Sequence, residues 1–172
     1  MERKIRQSTL ADLDAVYGIW EEGLKISLGT QLPEDLDKRE YFAKQIREQD
    51  NDFKTFVVDN EEGKVVAWAS LVPFRANPVT RNTMAELSTY VGAASTHQNV
   101  ARDLLLHTLR HADQSNLQFV VAYIAVTNER TIQIAQRGGF MMVGVIPQMA
   151  RKPAGPQLAY LAYPAGSWSL DS

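Results

Sequence analysis

Residues 119–126 read F-V-V-A-Y-I-A-V, an apolar run without a break. The run is too short to cross a bilayer, which takes roughly 20 apolar residues in a helix. It also lacks the alternation of a strand with one wet face. It fits a strand buried on both faces, and such a strand needs helices packed above and below it. That requirement narrows the fold to layered α/β architectures.

The flanking sequence supplies the helices. Upstream, Val100–His111 repeats its less polar residues at Ala101, Leu104, Leu105, Thr108 and Leu109, the spacing of one helix face. Downstream, Asn128–Gln136 reads as a short helix closed by Gly138 and Gly139. Strands alternating with helices connect by crossovers, so Met84–Val91 and the apolar run are expected to pair in parallel. Nearer the N-terminus, K-I-R-Q-S reads as a short strand. Leu10, Leu13, Val16, Tyr17 and Trp20 then mark one helix face, with Thr9 as its cap and Asp12 in the capping-box position. Leu36–Gln49 predicts a polar second helix. T-F-V-V-D-N-E-E-G-K-V-V-A-W-A-S-L predicts a hairpin around an acidic turn ending at Gly63. F-M-M-V-G-V-I and L-A-Y-L-A-Y predict the last two strands. The order β-α-α-β-β-β-α-β-α-β-β implies one mixed α/β domain over residues 1–166, with 167–172 a loose tail.

Composition excludes several functions. A net charge of −2 gives no broad basic field, so nucleic acid is not an expected partner. With no cysteine there is no disulfide, thiolate zinc site or cysteine nucleophile. No apolar run suggests a membrane span, and M-E-R-K-I-R-Q-S-T lacks the apolar core of a signal peptide, so a cytoplasmic protein is expected. His107 and His111 stand four apart on a helix, with Asp103 four before His107. Surface histidines are the commoner reading of that pattern, and no metal is expected. Met141, Met142, Trp20 and Trp68 read as core or interface residues.

One corner carries the functional question. Between the strand at Met84–Val91 and the helix from Val100 lies S-T-H-Q-N, with no glycine after Gly92. A strand–loop–helix corner offers backbone N–H groups and a helix dipole to an anion. Those amides need the right backbone angles and room, and no particular side chain. Asn tolerates positive φ better than most residues, so Asn99 can keep such a turn. Thr96 can cap the helix or bond a phosphate, and Arg102 adds a positive charge in the first turn. The plainer alternative is a polar helix start.

Four stretches, in this order and at these separations, resemble one superfamily. They are I-R-Q-S-T-L-A-D-L-D-A-V-Y-G-I-W, A-W-A-S-L-V-P-F-R, A-E-L-S-T-Y-V and N-E-R-T-I-Q-I-A-Q-R-G-G-F-M-M-V-G. They resemble the GCN5-related N-acetyltransferases (GNATs), and within them the phosphinothricin and methionine-sulfone type. The resemblance implies a GNAT-type mixed central sheet with helices on both faces. Its central parallel strands would splay to admit the pantetheine arm of acetyl-CoA. The superfamily's pyrophosphate pattern, Gln/Arg-x-x-Gly-x-Gly/Ala, falls on Thr96, His97, Gln98, Asn99, Val100 and Ala101, and only Ala101 matches it.

The resemblance also implies roles. Glu86 takes the family's glutamate position as general base, its alternative being a strand glutamate paired with a neighbour such as Arg81. Backbone N–H groups near Tyr90 and Val91 would meet the oxyanion. Arg75 would clamp a substrate carboxylate and Phe74 wall the pocket, against the alternatives of a solvated arginine and a core phenylalanine. Tyr90 joins the substrate side. Val91, the corner 96–101, Arg102 and Asn128 join the cofactor side, with Asn128 also a candidate N-cap. The helix from Asn128 lacks the tyrosine that many members use as acid; water, Tyr123 or Tyr160 could serve, or none be needed. The expected reaction moves an acetyl group from acetyl-CoA to the primary amine of a small amino acid or analogue. A non-catalytic binding module and an acyltransferase acting on peptide or protein N-termini are the alternatives. A homodimer is expected by resemblance.

Overall fold

The computed structural model describes residues 4–27, 38–74, 78–95, 99–147 and 157–166. β1 (Lys4–Gln7) leads through a 3-10 turn (Leu10–Asp12) into α1 (Leu13–Ser27) and α2 (Lys38–Arg47). β2 (Thr55–Asp59), β3 (Val65–Pro73) and β4 (Met84–Val91) follow, then a second 3-10 turn (Ala93–Ser95) and α3 (Val100–Asp113). β5 (Phe119–Ala125), α4 (Glu129–Arg137), β6 (Met141–Ile146) and β7 (Leu158–Pro164) complete the order that the periodicities imply. α3 runs two residues beyond its expected end at His111. The expected start of α2 at Leu36 and the tail 167–172 lie outside the described residues.

The seven strands form one sheet in the order β1-β2-β3-β4-β5-β7-β6. β4 and β5 are the parallel pair, and the other neighbours are antiparallel. The apolar run is covered from both sides, as its composition requires. Val120 and Ala122 join Leu87, Leu104, Leu109 and Leu161 in a core beneath α3 and α4. On the opposite face, Val16, Ile19, Phe42, Val57 and Trp68 pack a second core under α1 and α2. Alternation along the strands sorts each residue to one face or the other.

Three local expectations gain detail. Thr9 does precede the first helical turn, and its N–H donates to Asp12 Oδ2 at 2.8 Å. Asp12 has a further role: it accepts two bonds from Arg6, whose guanidinium also holds Asp59 on β2. Met141 and Met142 are exposed on edge strand β6, which removes the core alternative and leaves the interface one. His107 and His111 pack their rings on Phe56 at 4.8 and 5.3 Å. Among the described residues no cluster suits a metal ion.

Candidate active site

The parallel pairing of β4 with β5 stops early. It joins Met84–Phe119, Ala85–Val120 and Glu86–Val121 and goes no further, although β4 continues to Val91 and β5 to Ala125. Beyond Glu86 the strands part. A strand's N–H groups point alternately to its two edges, so the facing edges of 87–91 and 122–125 present backbone donors and acceptors to the gap.

A cleft of about 310 Å³ fills this gap and runs through the sheet. On the α3/α4 face its lining includes Thr89, Ala101, Leu105, Asn128 and Thr131. On the α1/α2 face it includes Glu86, Ser88, Tyr90 and Tyr123. The alternation of β4 explains the division. Leu87 and Val91 pack in the first core, while Tyr90 stacks on Trp68 of the second at 4.9 Å.

Glu86 sits where the pairing ends. It is half-buried and makes no ion pair among the described residues, including with Arg81. Burial pushes its pKa above the ordinary carboxylate value. Two phenols share its surroundings. The Tyr90 pKa is raised, first by burial and then by the Glu86 and Tyr41 charges, against a hydrogen bond with Trp20. The Tyr41 pKa is raised by burial and by Glu86. Tyr41 comes from α2, whose polar sequence gave no hint of a site residue. Its neighbour Phe42 faces the core, with ring centroids 5.3 Å apart, and turns Tyr41 outward toward Glu86. The signal was non-local and needed the fold.

The corner keeps a glycine-like backbone. Asn99 has φ 59° and ψ 10°, left-handed, and is the one described non-glycine residue with positive φ. It stands at the N-cap position of α3, where its side chain makes no capping bond. Gly92 donates to Val66 O, Ser95 donates to Gly92 O, and Glu22 of α1 accepts the Ala93 N–H at 3.1 Å. These bonds fix the chain's exit from β4. A Cβ on Gly92 would lie 3.3 Å from Val66 O, which explains a glycine there.

The expected site residues therefore separate. Glu86, Tyr90, Ala101 and Asn128 line one cleft. Asn128 caps α4 through Oδ1, which accepts the Thr131 N–H at 3.3 Å. Val100 is buried at 2% exposure, so its side chain serves the core. Val91 packs against the same core from the end of β4 and is off the cleft lining. Arg102 is ion-paired with Asp103 at 3.0 Å, which offsets the charge expected at the corner. Phe74 is buried and off the cleft lining. Arg75, Thr96, His97 and Gln98 lie outside the described residues.

A parallel pair that splays after Glu86, with a helix N-terminus beside the gap, matches a known architecture. The sequence profile of the acetyltransferase (GNAT) domain matches residues 5–152. The chain belongs to the GNAT acetyltransferase family. It is 27% identical over 155 residues to an L-methionine sulfoximine/L-methionine sulfone acetyltransferase of Pseudomonas aeruginosa, covering 88% of each chain. A ribosomal-protein-alanine N-acetyltransferase from Brucella melitensis superposes with TM-score 0.81 at 27% identity, over 94% of this chain and 99% of that one. A phosphinothricin acetyltransferase from Sinorhizobium meliloti, in complex with acetyl-CoA, superposes with TM-score 0.82 at 20% identity, over 96% and 90%. In this GNAT no helix among the described residues is long and apolar enough to cross a membrane.

Proposed function

We propose that this GNAT transfers an acetyl group from acetyl-CoA to the primary amine of a small amino acid or amino-acid analogue by direct attack. One observation carries the reading: a single cleft crosses the splayed sheet, with the helix N-termini on one face and Glu86 on the other. A thioester entering from the α3/α4 face and an amine from the α1/α2 face would meet beside Glu86. The left-handed Asn99 supports a corner that still presents its amides to a pyrophosphate without glycine. The unpaired edges of β4 and β5 would hold the amide-bearing arm, and Asn128 and Thr131 would flank it.

The chemistry then balances. Glu86 accepts a proton from the ammonium, and the freed amine nitrogen bonds to the acetyl carbon. The carbon–sulfur bond breaks, its electron pair leaves with sulfur, and the second nitrogen proton passes to the departing thiolate or to water. A thiolate is a far better leaving group than an alkoxide, so the tyrosine-free α4 is no obstacle. A strand N–H near Tyr90 and Val91 would meet the developing oxyanion. Arg75 would take the acceptor's carboxylate and Phe74 would back that wall. The name of the Pseudomonas relative supports an amino-acid analogue as acceptor. A protein N-terminus is the second reading, favoured by the name of the Brucella neighbour. A cytoplasmic homodimer completes the proposal, on composition and family resemblance.

Calorimetry with acetyl-CoA tests this on wild type and Asn99→Asp. Micromolar binding to wild type, weakened by the added negative charge, is expected. No binding at millimolar acetyl-CoA would leave a fold without its co-substrate. An acceptor screen with Glu86→Gln as control follows.

A further inference from the structure

We propose that the acceptor amine carries a bulky apolar side chain, preferably aromatic, which rests on an aromatic shelf beside Glu86. This deepens the acetyl-transfer reading and rests on it. On the α1/α2 face each arm of the splay bears a stacked aromatic pair. On the β3–β4 arm Trp68 stacks on Tyr90 at 4.9 Å and 26°. On the β5–β7 arm Tyr123 stacks on Tyr160 at 5.2 Å and 16°.

Register places both pairs on the face of Glu86. Glu86 is opposite Val121, Tyr123 follows two residues later, and Tyr160 is directly across from Tyr123. Ala122, Ala159 and Leu161 point the other way, into the core under α3 and α4. Beyond Tyr160 no described side chain crowds the rings. The neighbour of Tyr160 on β6 is Gly144, where an added Cβ would have no atom within 4 Å. Tyr41 is 55% exposed on the side of α2 and feels the charge of Glu86.

Distance and charge then select the acceptor. Strands lie about 4.8 Å apart, so a substituent that spans from an amine at Glu86 to the Tyr123–Tyr160 pair must cross more than one strand spacing. A glycine- or alanine-sized substituent does not reach the Tyr123–Tyr160 pair. A flat ring or a long apolar chain covers them and gains offset or edge contacts. Glu86 is the one carboxylate among the described residues lining the cleft, which argues against a polyamine with its second cation.

Steady-state kinetics on an amine panel tests the proposal. With L-phenylalanine, L-tryptophan and L-methionine, kcat/KM is expected to exceed that for glycine, L-alanine and L-aspartate by roughly tenfold or more. Tyr160→Leu should collapse that ratio through the KM of the aromatic acceptor, and Tyr160→Phe should retain it. Acetyl-CoA affinity and melting temperature should stay near wild type in both, which separates a lost shelf from a lost fold. Equal or better use of the small acceptors, or a Tyr160→Leu loss shared by all acceptors, would overturn the proposal. If wild type binds no acetyl-CoA, the acetyl-transfer reading fails, and the shelf is judged by amine binding alone. L-phenylalanine should then titrate the Tyr123 and Tyr160 ring resonances where glycine does not, and equal responses would sink it.

Discussion

Glu86 and Asn99 each hold a state that the fold would not choose for stability. Burial raises the Glu86 pKa above the ordinary value of about 4.3. A carboxyl with a raised folded pKa contributes stability that is full below its unfolded pKa and lost as pH rises through the folded one. At neutral pH the charged Glu86 therefore works against folding. Glu86→Gln should melt higher than wild type near neutral pH and lose that advantage in acid below the ordinary value. Its kcat/KM should fall by about 10²–10⁴-fold, the usual worth of a positioned base. Thermal melts and pH-rate profiles check both, and a variant that is active and no more stable would refute the base assignment. At Asn99 the left-handed backbone is the constraint. Asn99→Gly should keep stability and acetyl-CoA binding, because glycine accepts φ 59° without strain. Asn99→Val should lose about 1–2 kcal/mol by denaturant unfolding and bind acetyl-CoA more weakly. Equal stability of the valine variant would mean that the corner can relax.

The elements were legible to the degree that their signals were local. The run at 119–126 implied cover on both faces, and Val120 and Val121 now face different layers. The helix at Val100 and the hairpin turn at Gly63 follow from spacing and from positive φ. The splay itself could be expected only from family resemblance. Nothing in L-S-T-Y-V announces that pairing ends at Glu86, because divergence depends on how two distant strands twist against their own neighbours. Tyr41 escaped for the same reason, since its neighbour in space is 45 positions away. So did the clasp at the N-terminus, where Arg6 joins Asp12 at the start of the first helix to Asp59 on β2. The side chains of Asp12 and Asp59 are 8% and 12% exposed. Arg6→Met would leave both nearly buried carboxylates without a counter-charge, and should cost about 3 kcal/mol at neutral pH. The Asp12 pKa is lowered, chiefly by its bonds to Arg6, so that stability is present above about pH 3.9 and lost as pH falls through the folded value. Urea unfolding should show the deficit of the variant shrinking in acid, and a constant deficit would assign the loss to packing.

At the scale of the molecule, acid acts on the two faces of the sheet by different routes. On the α1/α2 face it protonates Glu86 and removes the base. On the α3 face it meets His107 and His111, whose rings flank Phe56 of β2. Both histidine pKa values are lowered, first by burial. Arg110 and His111 lower that of His107 further. For His111, Lys54 also lowers it, while the bond to the Asp52 carbonyl and the charges of Asp52 and Asp50 oppose the shift. A base with a depressed folded pKa binds more protons when unfolded, so its contribution is full above the ordinary value of about 6.5 and lost as pH falls through the folded one. Melting temperature should therefore decline below about pH 6.5 from this face while Glu86 protonation pushes weakly the other way. The double variant His107→Gln/His111→Gln separates the two routes. Its melting temperature should vary less with pH over that range than that of wild type, while the acid limb of its kcat/KM profile stays in place. An acid limb that moves with the histidines would mean that activity is lost through α3 and its corner, and that Glu86 does not set the profile.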